Sequence, residues 1–268
     1  MRVAAVADLH CSRTSEGSFR PLLRAAREAA DVLLLCGDLT DFGLPEEAHL
    51  LVGELSAAQG LPIVAVLGNH DYEGGKDQEV RKILSDAGVI VLDGDSCEVC
   101  GVGFAGVKGF CGGFGRGSLG AWGEPAIKAF VQEAVNEAIK LESALARLRT
   151  ERRVVVMHYS PIAATVEGEP REIFPYLGSS RLEEPLSRYP VDVVFHGHAH
   201  RGQAEGRTHA GVPVFNVSLP LMRRSAPEGD ARAFRLFEIP TRTGVAAAGR
   251  VPQEVTAPQV PAAQEAAH

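Results

Sequence analysis

Aspartate, asparagine and histidine recur in five short groups along the chain. They read Asp8-Leu9-His10, Gly37-Asp38-Leu39-Thr40-Asp41, Gly68-Asn69-His70-Asp71, the lone His158, and His196-Gly197-His198-Ala199-His200. Asp8 and His10 stand two apart, as do His198 and His200, and in an extended segment such a pair shares one face and can reach one ion. A single carboxylate can bridge two ions, and Asp38 is the natural candidate. Asn69 offers a neutral oxygen that keeps a crowded site from accumulating negative charge. Imidazole and carboxylate without thiolate suits Mn²⁺, Fe or Zn²⁺. Each piece alone is weak, since a lone Asp-x-His is usually a surface accident and a lone histidine beside an apolar run is usually a satisfied core residue. The weight lies in the ordered set, each member placed at the end of an apolar run.

Those runs are the strand candidates. In the first half they are 2–7, 32–36, 63–67 and 89–92, alternating with helical patterns over 19–30, 45–59 and 76–87. This βαβ rhythm implies a mainly parallel sheet with helices on its faces. The runs are almost wholly apolar, as strands covered on both sides must be. A hairpin-like stretch over 97–107 follows, then a glycine-rich segment, 109–117, read as a mobile loop without a nucleotide-binding fingerprint. The longest helix is expected over 124–149, opened by Pro125, with a core stripe of Ile127, Phe130, Ala134, Ala138, Leu141, Leu145 and Leu148. Further strands are expected at 153–157, 191–195, 212–217 and 234–239. The functional groups thus fall at the C-terminal ends of five strands, the edge where open α/β sheets bind ligands.

Composition narrows the function classes. The chain has 268 residues, 45% hydrophobic and 23% charged, enough for a sizeable core. Its net charge of −7 argues against a sequence-independent nucleic-acid binder. The five cysteines are irregularly spaced, and Cys97 and Cys100 are read as strand or turn residues, not a zinc or redox pair. No apolar run approaches a membrane span and no signal peptide is visible, so a cytoplasmic protein without membrane contact is expected. Residues 1–250 are expected to form one domain, and 251–268, rich in Pro, Ala and Gln, a disordered tail.

In their order and spacing, DxH, GDxxD, GNHD, a later His and GHxH, these groups resemble the signature of the calcineurin-like metallophosphoesterases, over residues 2–240. The resemblance implies a four-layer α/β/β/α sandwich with two mixed β-sheets facing each other, and a two-metal site. Carried over by position, one divalent ion would take Asp8, His10, Asp38 and His200, the other Asp38, Asn69, His158 and His198. The resemblance makes His70 the residue near the leaving group and Asp41 the carboxylate paired with it, with Asp71 a structural prop. His196 is extra and is assigned to orienting a ligand.

The implied activity is phosphoester hydrolysis of a small substrate, by in-line attack of a hydroxide bridging the two ions, with His70 protonating the departing oxygen. In the protein Ser/Thr phosphatases of this superfamily an arginine follows GDxxD and grips the phosphate, whereas Phe42 follows Asp41 here. That departure, with the single-domain length, favours a phosphodiesterase. A phosphomonoesterase or nucleotide pyrophosphatase, a DNA-repair nuclease and a non-enzymatic scaffold are the alternatives. Substrate selection is expected from the loops 109–123 and 159–178, with Arg116, Arg181 and Arg201 as candidate phosphate contacts.

Overall fold

The computed structural model describes residues 1–225 and 232–240. The domain boundary expected after residue 250 and the tail 251–268 lie outside the described residues. The strands are β1 (Arg2–Val6), β2 (Val32–Cys36), β3 (Ile63–Val66), β4 (Ile90–Val91), β5 (Asp95–Val99), β6 (Val102–Val107), β7 (Arg152–Met157), β8 (Val193–His196), β9 (Glu205–Arg207), β10 (Pro213–Asn216) and β11 (Arg235–Glu238). The helices are α1 (Arg20–Ala29), α2 (Pro45–Leu55), α3 (Asn69–Glu73), α4 (Asp77–Asp86), α5 (Pro125–Arg147), α6 (Phe174–Leu177), α7 (Glu183–Arg188) and α8 (Leu219–Ser225).

The strands form two mixed sheets, ordered β11-β1-β2-β3-β4 and β5-β6-β7-β8-β10-β9. The first is parallel except for β11, and in the second β5 and β9 are the antiparallel edges. Their apolar faces meet in one core, where Val3, Leu34 and Val64 of the first sheet join Phe104, Val156 and Phe195 of the second. The outer face of the first sheet is covered by Leu23 of α1, Leu51 of α2 and Leu84 of α4. The outer face of the second is covered by Leu141 and Leu145 of α5 and Leu186 of α7. This is the four-layer α/β/β/α sandwich. The central strands β2, β3 and β6 are covered on both sides, so alternation is absent there and their sequences are apolar throughout.

Two expectations shift. Ile127, placed in the buried stripe of α5, is 42% exposed, and the buried face begins at Val131. That face also holds Glu137, fully buried, which accepts hydrogen bonds from the Gly109 amide (2.8 Å) and Lys140 Nζ (2.7 Å). The glycine-rich segment, expected as a mobile loop, is tied down by Gly112 N to Pro175 O and Gly113 N to Gly178 O, both 2.8 Å. Cys97 lies on β5, and Cys100 occupies the β5–β6 turn with φ 50°. No described helix is long and apolar enough to cross a membrane.

Candidate metal centre

The five groups sit at or just beyond the C-terminal ends of β1, β2, β3, β7 and β8. There the backbone turns sharply. Asp8, His10, Asp38 and His198 all have left-handed backbones, with φ of 58°, 45°, 48° and 70°. The one other such non-glycine residue among those described is Cys100. Each such conformation costs on the order of 1–3 kcal/mol and persists where the surroundings over-determine it, typically at functional sites. The strand ends also approach closely. A Cβ on Gly68 would lie 2.2 Å from the Asp38 carboxylate, and one on Gly197 2.4 Å from Asp8 Oδ2. These two glycines of the GN and GH pairs are there so that neighbouring strand ends can touch.

Three sets of donor atoms converge: Asp8, His10 and His200; His10, Asp38 and His70; and Asp38, His158 and His198. His200 Nε2 lies 3.1 Å from Asp8 Oδ1, whose carboxylate also accepts from the His198 amide. His158 Nε2 lies 3.3 Å from Asp38 Oδ1 and 2.9 Å from Asn69 Oδ1. Its other nitrogen, Nδ1, lies 3.0 Å from the Cys36 carbonyl, which can only accept, so Nδ1 carries the proton and Nε2 faces the cluster. By the same reasoning His198 donates from Nε2 to the Tyr176 carbonyl at 3.0 Å and keeps Nδ1 for the cluster. Such fixing of ring orientation by an outer acceptor is characteristic of metal-ligating histidine.

The charges are strongly coupled. Burial alone would raise the Asp38 carboxyl, but His158 beside it and the His70 amide hold it well below the usual carboxylate range. Burial likewise opposes charge on His158, yet Asp38 outweighs it and lifts that imidazole to about 9. His198 is lowered to about 4 by burial and by the charge of His158. Cys11 lies near the cluster, but burial pushes its thiol up to about 12, so the donors there are oxygen and nitrogen.

The donor set fits a metal on one further observation. His10 Nε2 is buried and has no hydrogen-bond partner. It lies 3.8 Å from Asp38 Oδ2, beyond hydrogen-bonding reach. An orphaned imidazole nitrogen turned toward a buried carboxylate is a ligand position in want of a cation.

His70 stands beside this cluster, its ring edge-on to that of His10 at 4.4 Å. It is held by its backbone amide on Asp38 Oδ1 (2.8 Å) and by Nδ1 on the carbonyl of Asp41 (2.7 Å). The expected pairing through the Asp41 carboxylate is therefore corrected: that carboxylate lies 3.3 Å from His10 Nδ1. The turn after β2 brings the carbonyl to His70, which leaves the side chain free for the other ring. Asp71 is fully buried and accepts from the amides of Leu39, Thr40 and Gly68 and from the Thr40 hydroxyl, joining the turns after β2 and β3.

The remaining candidates stand apart. His196 is buried, with Nδ1 on the Gly197 carbonyl and Nε2 on the Thr165 hydroxyl, both 2.8 Å, and burial lowers it to about 4. It touches no member of the donor sets through its ring nitrogens, so it braces the turn before His198 instead of orienting a ligand. Arg116 is exposed in the glycine-rich segment. Arg181 reaches the Leu119 carbonyl, and the Arg201 amide reaches Glu169. None of these three arginine side chains is hydrogen-bonded to a candidate ligand. Reading the sequence missed Tyr159 and Tyr176, whose ring and carbonyl respectively meet His198. No spacing rule links residues 159 or 176 to 198, since the contacts depend on how the loop between β7 and β8 folds back.

Solved structures share this architecture at low identity. The phosphopantetheinyl hydrolase of Mycobacterium tuberculosis is 15% identical, with TM-score 0.62 over 91% of this chain and 98% of its own. The purple acid phosphatase PPD1 of yellow lupin is 14% identical, with TM-score 0.51 over 75% of this chain and 38% of its own. GAP50, the anchor in the inner membrane complex of Plasmodium, is 14% identical, with TM-score 0.51 over 82% of this chain and 72% of its own. No curated protein matches the chain. The calcineurin-like phosphoesterase profile matches residues 1–202, a span that holds every donor described above. The chain therefore belongs to the calcineurin-like phosphoesterase family, a family of metal-dependent phosphoester hydrolases.

Proposed function

We propose that the chain is a phosphodiesterase that works with two divalent ions, drawn from Mn, Fe and Zn. The observation that carries the reading is the place of Asp38 in two adjoining donor sets. Asp8, His10, Asp38 and His200 would hold one ion, and Asp38, Asn69, His158 and His198 the other. Bound there, the ions would neutralise charge on the phosphoryl oxygens and acidify the attacking water.

The chain's own residues supply the rest. With Nδ1 donating to the Asp41 carbonyl, His70 has Nε2 free for substrate. As water oxygen bonds to phosphorus and the phosphorus–oxygen bond to the leaving group breaks, the electron pair goes to the departing oxygen, which takes a proton from Nε2 of the doubly protonated ring while Nδ1 keeps its own. Asp71 holds the turns that carry Asp38 and His70 at fixed separation. Diester preference is supported by Phe42, which follows Asp41 where the protein Ser/Thr phosphatases carry a phosphate-gripping arginine. A diester carries one negative charge and needs less such compensation than a monoester.

A monoesterase or pyrophosphatase would use the same ligands and remains the second reading. The fold alone does not choose between catalysis and scaffolding, since a hydrolase, a phosphatase and an anchor share it. The complete donor set favours catalysis. The catalytic unit is proposed to span residues 1–250, with 251–268 dispensable. The test is a hydrolysis panel on metal-stripped protein refilled with Mn²⁺, Fe or Zn²⁺, covering cyclic nucleotides, bis-aryl diesters, aryl monoesters and nucleoside diphosphates. Faster turnover of the monoesters than of every diester refutes the diesterase reading.

A further inference from the structure

The backbone around Tyr176 is held from several sides. The carbonyl of Pro175 accepts from Gly112 N (2.8 Å), that of Leu177 from Ser160 N (3.1 Å) and that of Gly178 from Gly113 N (2.8 Å). The carbonyl of Tyr176 accepts from His198 Nε2 at 3.0 Å and from the Cys111 thiol at 3.3 Å. Four successive carbonyls are thus committed, one of them to a candidate metal ligand. Yet the Tyr176 side chain is 58% exposed.

Its ring does not hang freely. It meets Phe130 edge-on at 6.5 Å, Phe130 meets Phe110 at 5.0 Å, and Phe110 meets Tyr159 at 6.1 Å. Tyr159 in turn lies 4.5 Å from the His198 ring. An aromatic wall therefore runs from the metal cluster to Tyr176 and ends in an open ring. One exposed aromatic needs no explanation by itself. A ring on a fixed backbone, one bond network from the cluster, is a preorganised contact surface.

Phe42 stands in the same relation to His70. It is 50% exposed, its amide donates to Glu47 Oε2 at 2.9 Å, and the carbonyl just before it is the one that holds His70. Each exposed ring is thus carried on a backbone segment that holds a different imidazole of the site, Phe42 beside the proposed acid and Tyr176 beside a proposed ligand.

We propose that Phe42 and Tyr176 are specificity residues, and that the substrate is a phosphodiester with bulky planar or apolar groups on both esters. Phe42 meets the leaving group beside His70, and Tyr176 meets the ester that stays. This rests on the diesterase reading above and names its substrate class.

The test compares Mn²⁺-loaded full-length protein on bis-nitrophenyl phosphate, methyl nitrophenyl phosphate and nitrophenyl phosphate. The two diesters share a leaving group and differ in the ester that stays. Loss of an aromatic contact of this kind should lower the bis-aryl to methyl ratio of kcat/KM roughly tenfold in Tyr176→Ala, mostly through KM. Tyr176→Phe should restore the ratio. Phe42→Ala should lower both diesters alike. A collapse around His198 would instead lower metal content and both diesters together. An unchanged ratio in Tyr176→Ala with diester turnover intact in the wild type overturns this assignment and leaves the diesterase reading standing. A wild type that hydrolyses the monoester alone overturns the diesterase reading and the assignment with it.

Discussion

The carbonyl oxygen of Asp41 lies 2.7 Å from His70 Nδ1, while the carboxylate of the same residue lies 3.3 Å from His10 Nδ1. One residue therefore braces two imidazoles with different atoms. The carbonyl accepts the Nδ1 proton of His70 and fixes the orientation of its ring. With the carboxylate on Nδ1, the orphaned Nε2 of His10 faces Asp38.

Asp41→Asn should accordingly act on metal binding. The carbonyl, and with it His70, survives the change. The His10 ring loses an anionic partner, and outer-shell changes of this kind typically cost about 10–100-fold in metal affinity. A Mn²⁺ titration should show weaker loading of one ion. Once saturated with metal, the variant should discriminate between aryl and alkyl leaving groups as the wild type does. Unaltered metal affinity with a new leaving-group bias would restore the carboxylate to His70.

His70→Gln tests the general acid directly. A nitrophenolate departs without protonation, whereas an alkyl or ribose alkoxide needs it. General acid catalysis is typically worth about 10²–10⁴-fold, so the larger loss should fall on the poor leaving group. His70 can also approach a donor set with His10 and Asp38, so metal content is the second measurement. A variant that loses an ion and fails equally on both esters would make His70 a ligand.

Asp38→Asn should weaken both ions, because the amide removes charge from the one carboxylate common to two donor sets. Asn69→Ala should weaken chiefly the ion beside His158, to which Asn69 Oδ1 is joined at 2.9 Å. Elemental analysis after Mn²⁺ saturation should approach two equivalents for the wild type, with the largest shortfall for Asp38→Asn. Equal shortfalls in the two variants would remove the case for a shared Asp38.

The sequence made the strands and the donors legible for one physical reason. Strands covered on both faces must be apolar, so polar residues can appear only where they end, and Asp8, Asp38, Asn69, His158 and His198 mark those ends. The assignment of atoms was not legible. Whether Asp41 offers its carbonyl or its carboxylate depends on the turn after β2, which the residue type does not set. Tyr176 was invisible as a partner of His198 because a loop contact carries no periodicity. Glu137 was hidden for a similar reason, since its burial depends on a glycine amide and a lysine that helical spacing places on no apolar stripe.

The Asp38–His158 pair makes metal loading depend on pH. The two groups lie 3.3 Å apart, and His158 is raised from 6.5 to about 9. In the metal-free protein the stabilisation from protonated His158 is fully present below about 6.5 and is lost as pH rises through about 9. Asp38 is depressed, so its contribution is present above the ordinary value of 3.8 and is lost as pH falls through its lower folded value. The pair therefore supports the metal-free fold most between those limits. Metal binding has the opposite sign, because a ligating imidazole must be neutral. Below pH 9 an ion has to displace the His158 proton, so apparent affinity should rise about tenfold per pH unit from pH ~7 to ~9 and then level off. Calorimetry in two buffers of different protonation enthalpy should show about one proton released per chain at pH ~7.5. Affinity that is flat across this range, with no proton released, would mean that His158 is already neutral in the metal-free protein and that Asp38 does not hold its charge.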